Sequence, residues 1–321
     1  ISGVSFRGRD GRIVSTEPRQ FIEELDELPL PSWEIFDLKK YRRNRLTSRE
    51  NPVGWIETSR GCPYSCVYCN KNIFGRTYRV KSPQRVVKEM EYMLDAGFRE
   101  IHIADDGFTT DMKRAEKICD LMIEKKLRFP WSTPTGIRAD RVSKQLLEKM
   151  ARAGCYRVYY GVESGNQEIL NRIHKQVKLE EVRNAVRWAK EAGMETFGFF
   201  MIGLPGETEE TMRDTIDFAK ELELDLVKMS ITMPLPGTPL YAELKQKGLI
   251  KSNKWSQFNF YVPPREAFDH ENLDWDAIEK YYKLFYREFY FRPGYILKRF
   301  LFGLSHGTLL TDVGALVSTR W

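Results

Sequence analysis

From residue 53 onward, short apolar runs alternate with longer stretches in which apolar residues recur every three or four positions. The runs Val53–Glu57, Ile101–Ala104, Trp131–Thr135, Arg157–Val162, Thr196–Ile202 and Leu226–Met233 predict strands. The stretches between them predict helices, and their ends carry punctuation. Ser82 before Pro83 reads as an N-cap with proline at the first helical position, and Asp111, Ser143 and Thr208 open later helices. Glycines at 97, 154, 193 and 248 close them. The stretch 166–192 reads as a broken helical region, and 239–247 as a last short helix.

Strands that are apolar throughout, alternating with amphipathic helices, imply a parallel sheet covered by helices. Six strand–helix units predict an α/β fold, a partial (β/α)6 TIM-like barrel, open because a closed barrel has eight. A doubly wound sheet has the same periodicity and stays open as an alternative. In a barrel, functional groups belong at the C-terminal ends of the strands, and the distinctive residues fall there. Residues 1–50 are polar and include a proline-stiffened stretch around Leu28-Pro29-Leu30-Pro31, which reads as a linker. The expected organisation is a linker over 1–50, a core over 51–250 and a helical C-terminal extension over 251–321. In that extension Tyr281, Tyr282, Phe285, Tyr286, Phe289, Tyr290, Tyr295 and Phe300 are interleaved with Arg287, Arg292, Lys298 and Arg299.

Composition narrows the class. The 321 residues are 42% hydrophobic and 30% charged, with a formal net charge of +6, as in an ordinary water-soluble domain. The basic residues are not gathered into the stripe that nucleic-acid binding requires, so nucleic acid is not an expected partner. No apolar stretch is long enough to cross a bilayer, and no signal peptide opens the chain, which points to the cytoplasm. The first residue is Ile1, which reads as a segment of a longer protein. Of five cysteines, three lie within eight residues, a spacing that suggests a metal site in a reducing compartment.

Those three are Cys62, Cys66 and Cys69, spaced C-x3-C-x2-C directly after the first strand. Thiolates suit soft metals and iron–sulfur clusters. A structural zinc site would need a fourth ligand, and no partner Cys or His follows nearby. Three ligands on a cubane leave one iron open. The segment, with an aromatic residue at Tyr68 before the third cysteine, resembles the cluster motif of the radical S-adenosylmethionine (SAM) superfamily. The resemblance implies a [4Fe–4S] cluster on Cys62, Cys66 and Cys69. It implies SAM chelated at the open iron and reductively cleaved to a 5′-deoxyadenosyl radical, with Tyr68 beside the adenine.

Further segments extend the likeness. Gly161-Val162-Glu163-Ser164-Gly165 ends the fourth strand and resembles the fourth-strand motif, implying SAM contacts from Glu163 and Ser164. Gly198 to Thr208 resembles the adenine-contacting fifth strand, implying backbone contacts at Ile202 and Gly203. Asp105-Asp106 ends the second strand, and a cofactor or substrate contact is implied there, with Asp105 the favoured residue. Arg138 matches a SAM-contacting position. Cys119 and Cys155 read as small core residues, and His102 as structural.

Taken together these segments resemble the cobalamin-binding branch, which includes B12-dependent methyltransferases and the anaerobic magnesium-protoporphyrin monomethyl ester cyclase. That likeness implies cobalamin held by a Rossmann-like domain upstream of residue 1. It also implies an electron donor such as flavodoxin or ferredoxin, and methylation, oxidation or cyclisation of an unactivated carbon. The aromatic, basic tail reads first as closing the barrel bottom or an open side. It also suits a large apolar, anionic substrate such as a tetrapyrrole or lipid, or rest on an anionic membrane surface. Two other classes stand beside this reading: a methylthiotransferase acting on RNA or protein, and a non-catalytic iron–sulfur or zinc-binding protein.

Overall fold

The computed structural model describes residues 1–43, 46–259 and 263–318, with side chains to residue 314. Residues 44–45, 260–262 and 319–321, which fall within the expected linker and extension, lie outside the described residues. Six strands form one parallel sheet: β1 (Val53–Ile56), β2 (Glu100–Ile103), β3 (Trp131–Ser132), β4 (Cys155–Glu163), β5 (Glu195–Ile202) and β6 (Leu226–Ile231). Their spatial order is their chain order, with β1 and β6 at the two edges. A doubly wound sheet reverses direction near its middle, whereas a barrel advances one strand at a time. The observed order is that of an open (β/α)6 barrel.

The helices between strands are α1 (Pro83–Asp95), α2 (Met112–Glu124), α3 (Lys144–Arg152), α4 (Gln167–Arg172), α5 (Leu179–Glu191), α6 (Glu209–Glu221) and α7 (Pro239–Gln246). Ser82, Asp111, Ser143, Thr208 and Thr238 cap α1, α2, α3, α6 and α7, each accepting from the backbone N–H three residues on. The broken region resolves into α4 and α5. β3 is shorter than the expected 131–135 because Pro134 has no N–H to donate, and the chain turns as Gly136 N–H donates to the Thr133 carbonyl. Ile137 then rejoins the sheet opposite Tyr160.

Alternate positions sort to the two faces. Ile101, Ile103, Val158, Tyr160, Phe200 and Ile202 point outward and pack with Val86, Met90, Ile118, Leu146, Val186 and Ile216 of the helices, each such side chain worth about 1.5–3 kcal/mol on burial. The inner face carries Trp55, His102, Ser132, Arg157, Tyr159, Phe197 and Phe199, matched strand to strand by register. Charge closes the barrel floor. Arg157 pairs with Glu195 at 2.6 Å, and Arg49 reaches the same carboxylate at 2.8 Å. Glu100 accepts from the Arg49 and Glu50 backbones and from Tyr156. His102 is buried against Glu100, a structural position.

The N-terminal segment is extended but tied down. It carries an exposed hairpin, Ser5–Arg7 with Ile13–Ser15. Arg85 of α1 then donates to the carbonyls of Asp26 and Leu28, and Trp33 meets Phe98 edge-on at 5.1 Å.

The extension contributes α8 (Trp275–Tyr290), α9 (Pro293–His306) and α10 (Leu309–Ser318). Its tyrosines close the edge of β6. The Tyr290 hydroxyl accepts from Val227 N–H and donates to its carbonyl, at 3.0 and 2.8 Å. Tyr286 does the same for Met229, at 2.9 and 3.1 Å, and Tyr295 donates to Asp225 O at 2.8 Å. Hydroxyls one helical turn apart thus match every second residue of a strand. Of the two structural roles open to the α8 aromatics, closing the open side is the one they fill. Among the described residues no helix is long and apolar enough to cross a membrane.

One buried acid sits in the turn between β5 and α6. Glu207 accepts from Leu204 N–H at 2.9 Å, while its other oxygen has no partner. Burial pushes this carboxyl up to about 8.

Two predictions follow from this packing. Replacing both Tyr286 and Tyr290 by Phe strips the paired groups from Val227 and Met229 and is expected to cost about 2–4 kcal/mol. Urea denaturation should show a lower midpoint at an unchanged slope; an unmoved midpoint would show that these hydroxyls do not hold the edge. Because the folded protein holds the Glu207 proton more tightly than the unfolded chain, that contribution is full below the ordinary carboxylate range and fades as pH rises toward about 8. Glu207→Gln is therefore expected to flatten the decline in stability between about pH 5 and about pH 8, and parallel slopes for the two proteins would refute it.

Candidate functional site

The cysteine loop grows from the end of β1. Ser59–Arg60 pairs antiparallel with Arg79–Val80, so a two-rung ladder clamps the stem of residues 61–78. Gly61 follows the stem with φ +84°, and an added Cβ would lie 2.2 Å from the Thr77 carbonyl, so only glycine fits. Buried Asp105 anchors the stem to β2. It accepts from Thr58 N–H at 2.6 Å, Thr58 Oγ1 at 2.5 Å and Ser59 Oγ at 2.6 Å. Arg114 of α2 donates to the carbonyls of Thr58 and Lys81, joining both sides of the stem. Within the loop, Cys62 N–H donates to Gly75 O and Cys69 N–H to Cys66 O. Val67 bridges α4 and α7: its N–H donates to Ile173 O and its carbonyl accepts from Leu240 N–H.

The loop forms one wall of a cavity of about 330 Å³ above the C-terminal ends of the strands. Cys62, Cys66, Cys69 and Tyr68 face Arg138, Gly161, Glu163, Lys175 and Phe199 across it, with exposed Asp106 at the rim. Glu163 sits at a bulge in β4 with φ +68°, a left-handed backbone that non-glycine residues rarely adopt. Its carboxylate meets the Lys175 ammonium at 2.8 Å, both side chains largely buried. Lys175 lies between His174 and Gln176, which are also left-handed, at φ +56° and +55°. Three strained residues thus hold one ion pair at the cavity, the kind of strain that collects at functional sites. An added Cβ at Gly161 would come within 2.7 Å of Glu163 and 2.8 Å of Lys175. Burial pushes the Tyr68 phenol well above the usual range, helped by the negative charge of Glu163. Arg138 stacks on Tyr64 at 3.6 Å and is held by Asp140 and the Lys175 carbonyl.

Of the sequence-predicted site residues, Cys62, Cys66, Cys69, Tyr68, Arg138 and Glu163 come together on this cavity. Four others stand off its wall. Asp105 spends its carboxylate on Thr58 and Ser59, and of the pair it is Asp106 that lies on the cavity. Ser164 is buried against Thr215 and Asn166. Ile202 is buried, and Gly203 borders a separate small space beside His270. Lys175 and Lys71, both on the cavity, escaped the sequence reading. Lys175 lies twelve residues from Glu163 with no periodic link, and only the fold of α4 pairs them.

The donors suit an iron–sulfur cluster. Three thiols share one wall, and burial pushes the Cys69 thiol up, opposed by the Lys71 ammonium beside it. A bound cation would supply the missing positive charge and hold the thiolate. Among the described residues no three His, Cys, Asp or Glu side chains are grouped for a single metal ion. Cys119 and Cys155 are buried elsewhere, and burial pushes the Cys119 thiol up to about 12.

The model of the Radical SAM superfamily matches residues 56–219, about half of the chain. An uncharacterised methyltransferase of Pyrococcus horikoshii is 32% identical over 95% of this chain and 67% of its own length. Cytidylyl-2-hydroxyethylphosphonate methyltransferase of Streptomyces wedmorensis is 31% identical over 78% of the chain and 53% of its own length. The anaerobic magnesium-protoporphyrin IX monomethyl ester cyclase of Cereibacter sphaeroides is 30% identical over 98% of the chain and 52% of its own. Against most of these relatives the chain spans about half their length. The cobalamin-dependent SAM radical enzyme OxsB, solved with aqua-cobalamin and SAM bound, shares the fold with a TM-score of 0.68 at 20% identity, over 87% of this chain and 46% of that one. The matched residues take in the cysteine loop, the strand ends that face it and strands β2 to β5 of the open barrel, and the chain belongs to the Radical SAM superfamily.

Proposed function

We propose that this chain is the catalytic core of a radical SAM enzyme that modifies an unactivated carbon by methylation, oxidation or cyclisation. The observation that carries the reading is that Cys62, Cys66 and Cys69 open on the same cavity as Tyr68, Arg138 and Glu163. When bound there, a [4Fe–4S] cluster held at three corners would chelate SAM at its fourth iron and supply the electron that cleaves the sulfonium to a 5′-deoxyadenosyl radical.

The residues of the chain divide the remaining work. Tyr68 offers a flat face for the adenine, and Glu163 offers a carboxylate for the ribose hydroxyls or the ammonium of SAM. Ile202 and Gly203 stand at the end of β5 off the cavity wall, where an adenine contact would be made through their backbone, and Ser164 steadies the turn after Glu163. Asp105 acts through the loop stem, while Asp106 is free to meet the substrate. Phe199, packed against Tyr159 and Phe197, gives the cavity an apolar side that helps to exclude water from the radical.

The cobalamin-dependent OxsB, which shares the fold, supports cobalamin as a second cofactor, and the half of the relatives' length that this chain does not span leaves room for a domain that holds it. The low-potential electron comes from a donor of the flavodoxin or ferredoxin class. The substrate is a small molecule with a substantial apolar body, a tetrapyrrole, the class the cyclase relative's name gives, or a lipid. The exposed apolar face of α9, with Leu297, Leu301 and Leu304, supports peripheral contact with a membrane in a cytoplasmic protein.

Anaerobic reconstitution with iron and sulfide, followed by dithionite and SAM, tests the reading. The expected product is 5′-deoxyadenosine. Cys66→Ala is expected to lose the broad absorption near roughly 400 nm and to release no 5′-deoxyadenosine. A reconstituted parent that leaves SAM intact, or a Cys66→Ala protein that keeps its absorption, would overturn the proposal.

A further inference from the structure

Two residues past the third cysteine, Lys71 lines the same cavity as Cys62, Cys66 and Cys69, so that its ammonium and the thiols of that loop share one wall. Its presentation is built. Asn70 and Asn72 flank it, and Asn70 Oδ1 accepts from Asn72 N–H at 2.9 Å in a tight turn. The Asn70 amide donates to Pro236 O at 3.4 Å and the Asn72 amide to Gly237 O at 3.3 Å. Both asparagines thereby grip the turn between β6 and α7. Gly237, at φ +86°, lets them approach: an added Cβ would stand 3.0 Å from one amide and 3.1 Å from the other. On the far side, Gly75 N–H donates to the Lys71 carbonyl at 2.9 Å.

The other charges on the cavity are partnered or remote. Glu163 is neutralised by Lys175, and Arg138 by Asp140. Asp106 stands exposed at the rim. Among the described residues that line the cavity, Lys71 is the cation with no carboxylate partner.

We propose that Lys71, clamped by Asn70 and Asn72, raises the reduction potential of the cluster held by Cys62, Cys66 and Cys69. The inference rests on the cluster assignment above. A cubane core bound by three thiolates carries one net negative charge when oxidised and two after it accepts one electron from the flavodoxin- or ferredoxin-class donor. An ammonium on the same cavity wall stabilises the more negative state more strongly. The device lets a modest donor populate the reduced cluster, and its cost is the ordering of a half-buried lysine side chain that the asparagine clamp must hold.

The test is a redox titration of the reconstituted protein, followed by electron paramagnetic resonance, with and without SAM. In Lys71→Gln, iron and sulfide content should match the parent. At a fixed potential the ratio of reduced to oxidised cluster should fall about tenfold, equivalent to about 59 mV for one electron. Lys71→Arg keeps the charge and should stay near the parent. Asn72→Ala, which loosens the clamp, should fall between. An unshifted potential in Lys71→Gln overturns the proposal. So does loss of the cluster from folded Lys71→Gln, which would make Lys71 a retaining residue rather than a tuning one. A parent protein that takes up no four-iron cluster would instead sink the cluster assignment itself, so the two failures are distinguishable.

Discussion

A single buried carboxylate fixes where the chemistry of this protein can happen. Asp105 leaves the end of β2 and binds the two residues that lead into the cysteine loop, through one backbone and two hydroxyl donors. Burial alone would favour its neutral form, and indeed lifts its pKa; the three donors and the guanidinium of Arg114 work against that lift. With Arg114 tying Thr58 to Lys81, both sides of the loop stem are locked to the sheet. The thiols then have one place to point, toward the strand ends. A loop of the same sequence on a loose stem would carry the same cysteines without a shared cavity.

The opposite wall is set by a different economy. Glu163, His174 and Gln176 all adopt left-handed backbones, each at a cost of order 1–3 kcal/mol. The dense packing of β4, α4 and the buried Lys175 sustains them. Strain of this kind keeps a carboxylate and an ammonium aimed into a cavity that solvent would otherwise let them leave. The rigid sheet and the strained wall are thus complementary: one positions sulfur, the other positions charge.

Much of this was legible in the sequence because the signals were periodic or local. Caps at Ser82, Asp111, Ser143 and Thr208 announce helices through a side chain that reaches only three residues. The three cysteines announce themselves by spacing. What stayed hidden depends on distant pieces meeting. The Ser59–Arg60 ladder is too short for a two-residue period to register. Choosing between Asp105 and Asp106 requires knowing which one turns inward after β2, and adjacent residues of one type carry no such information. The tail was ambiguous for the same reason: tyrosine interleaved with arginine reads as a binding surface, yet its hydroxyls are spent on backbone. The clamp around Lys71 joins residues about 165 positions apart, and only the barrel brings them together.

The tyrosine closure of β6 has a bearing on how this protein can be divided. The barrel reads as a self-contained unit ending near residue 250, yet its last strand borrows the groups that satisfy its outer edge from a helix beginning at Trp275. A fragment cut at the apparent boundary would offer Val227 and Met229 as an open template, and open templates recruit one another into fibres or amorphous aggregate. The natural seam of the molecule therefore lies beyond Tyr295, and the helical tail behaves as a seventh, non-strand member of the sheet.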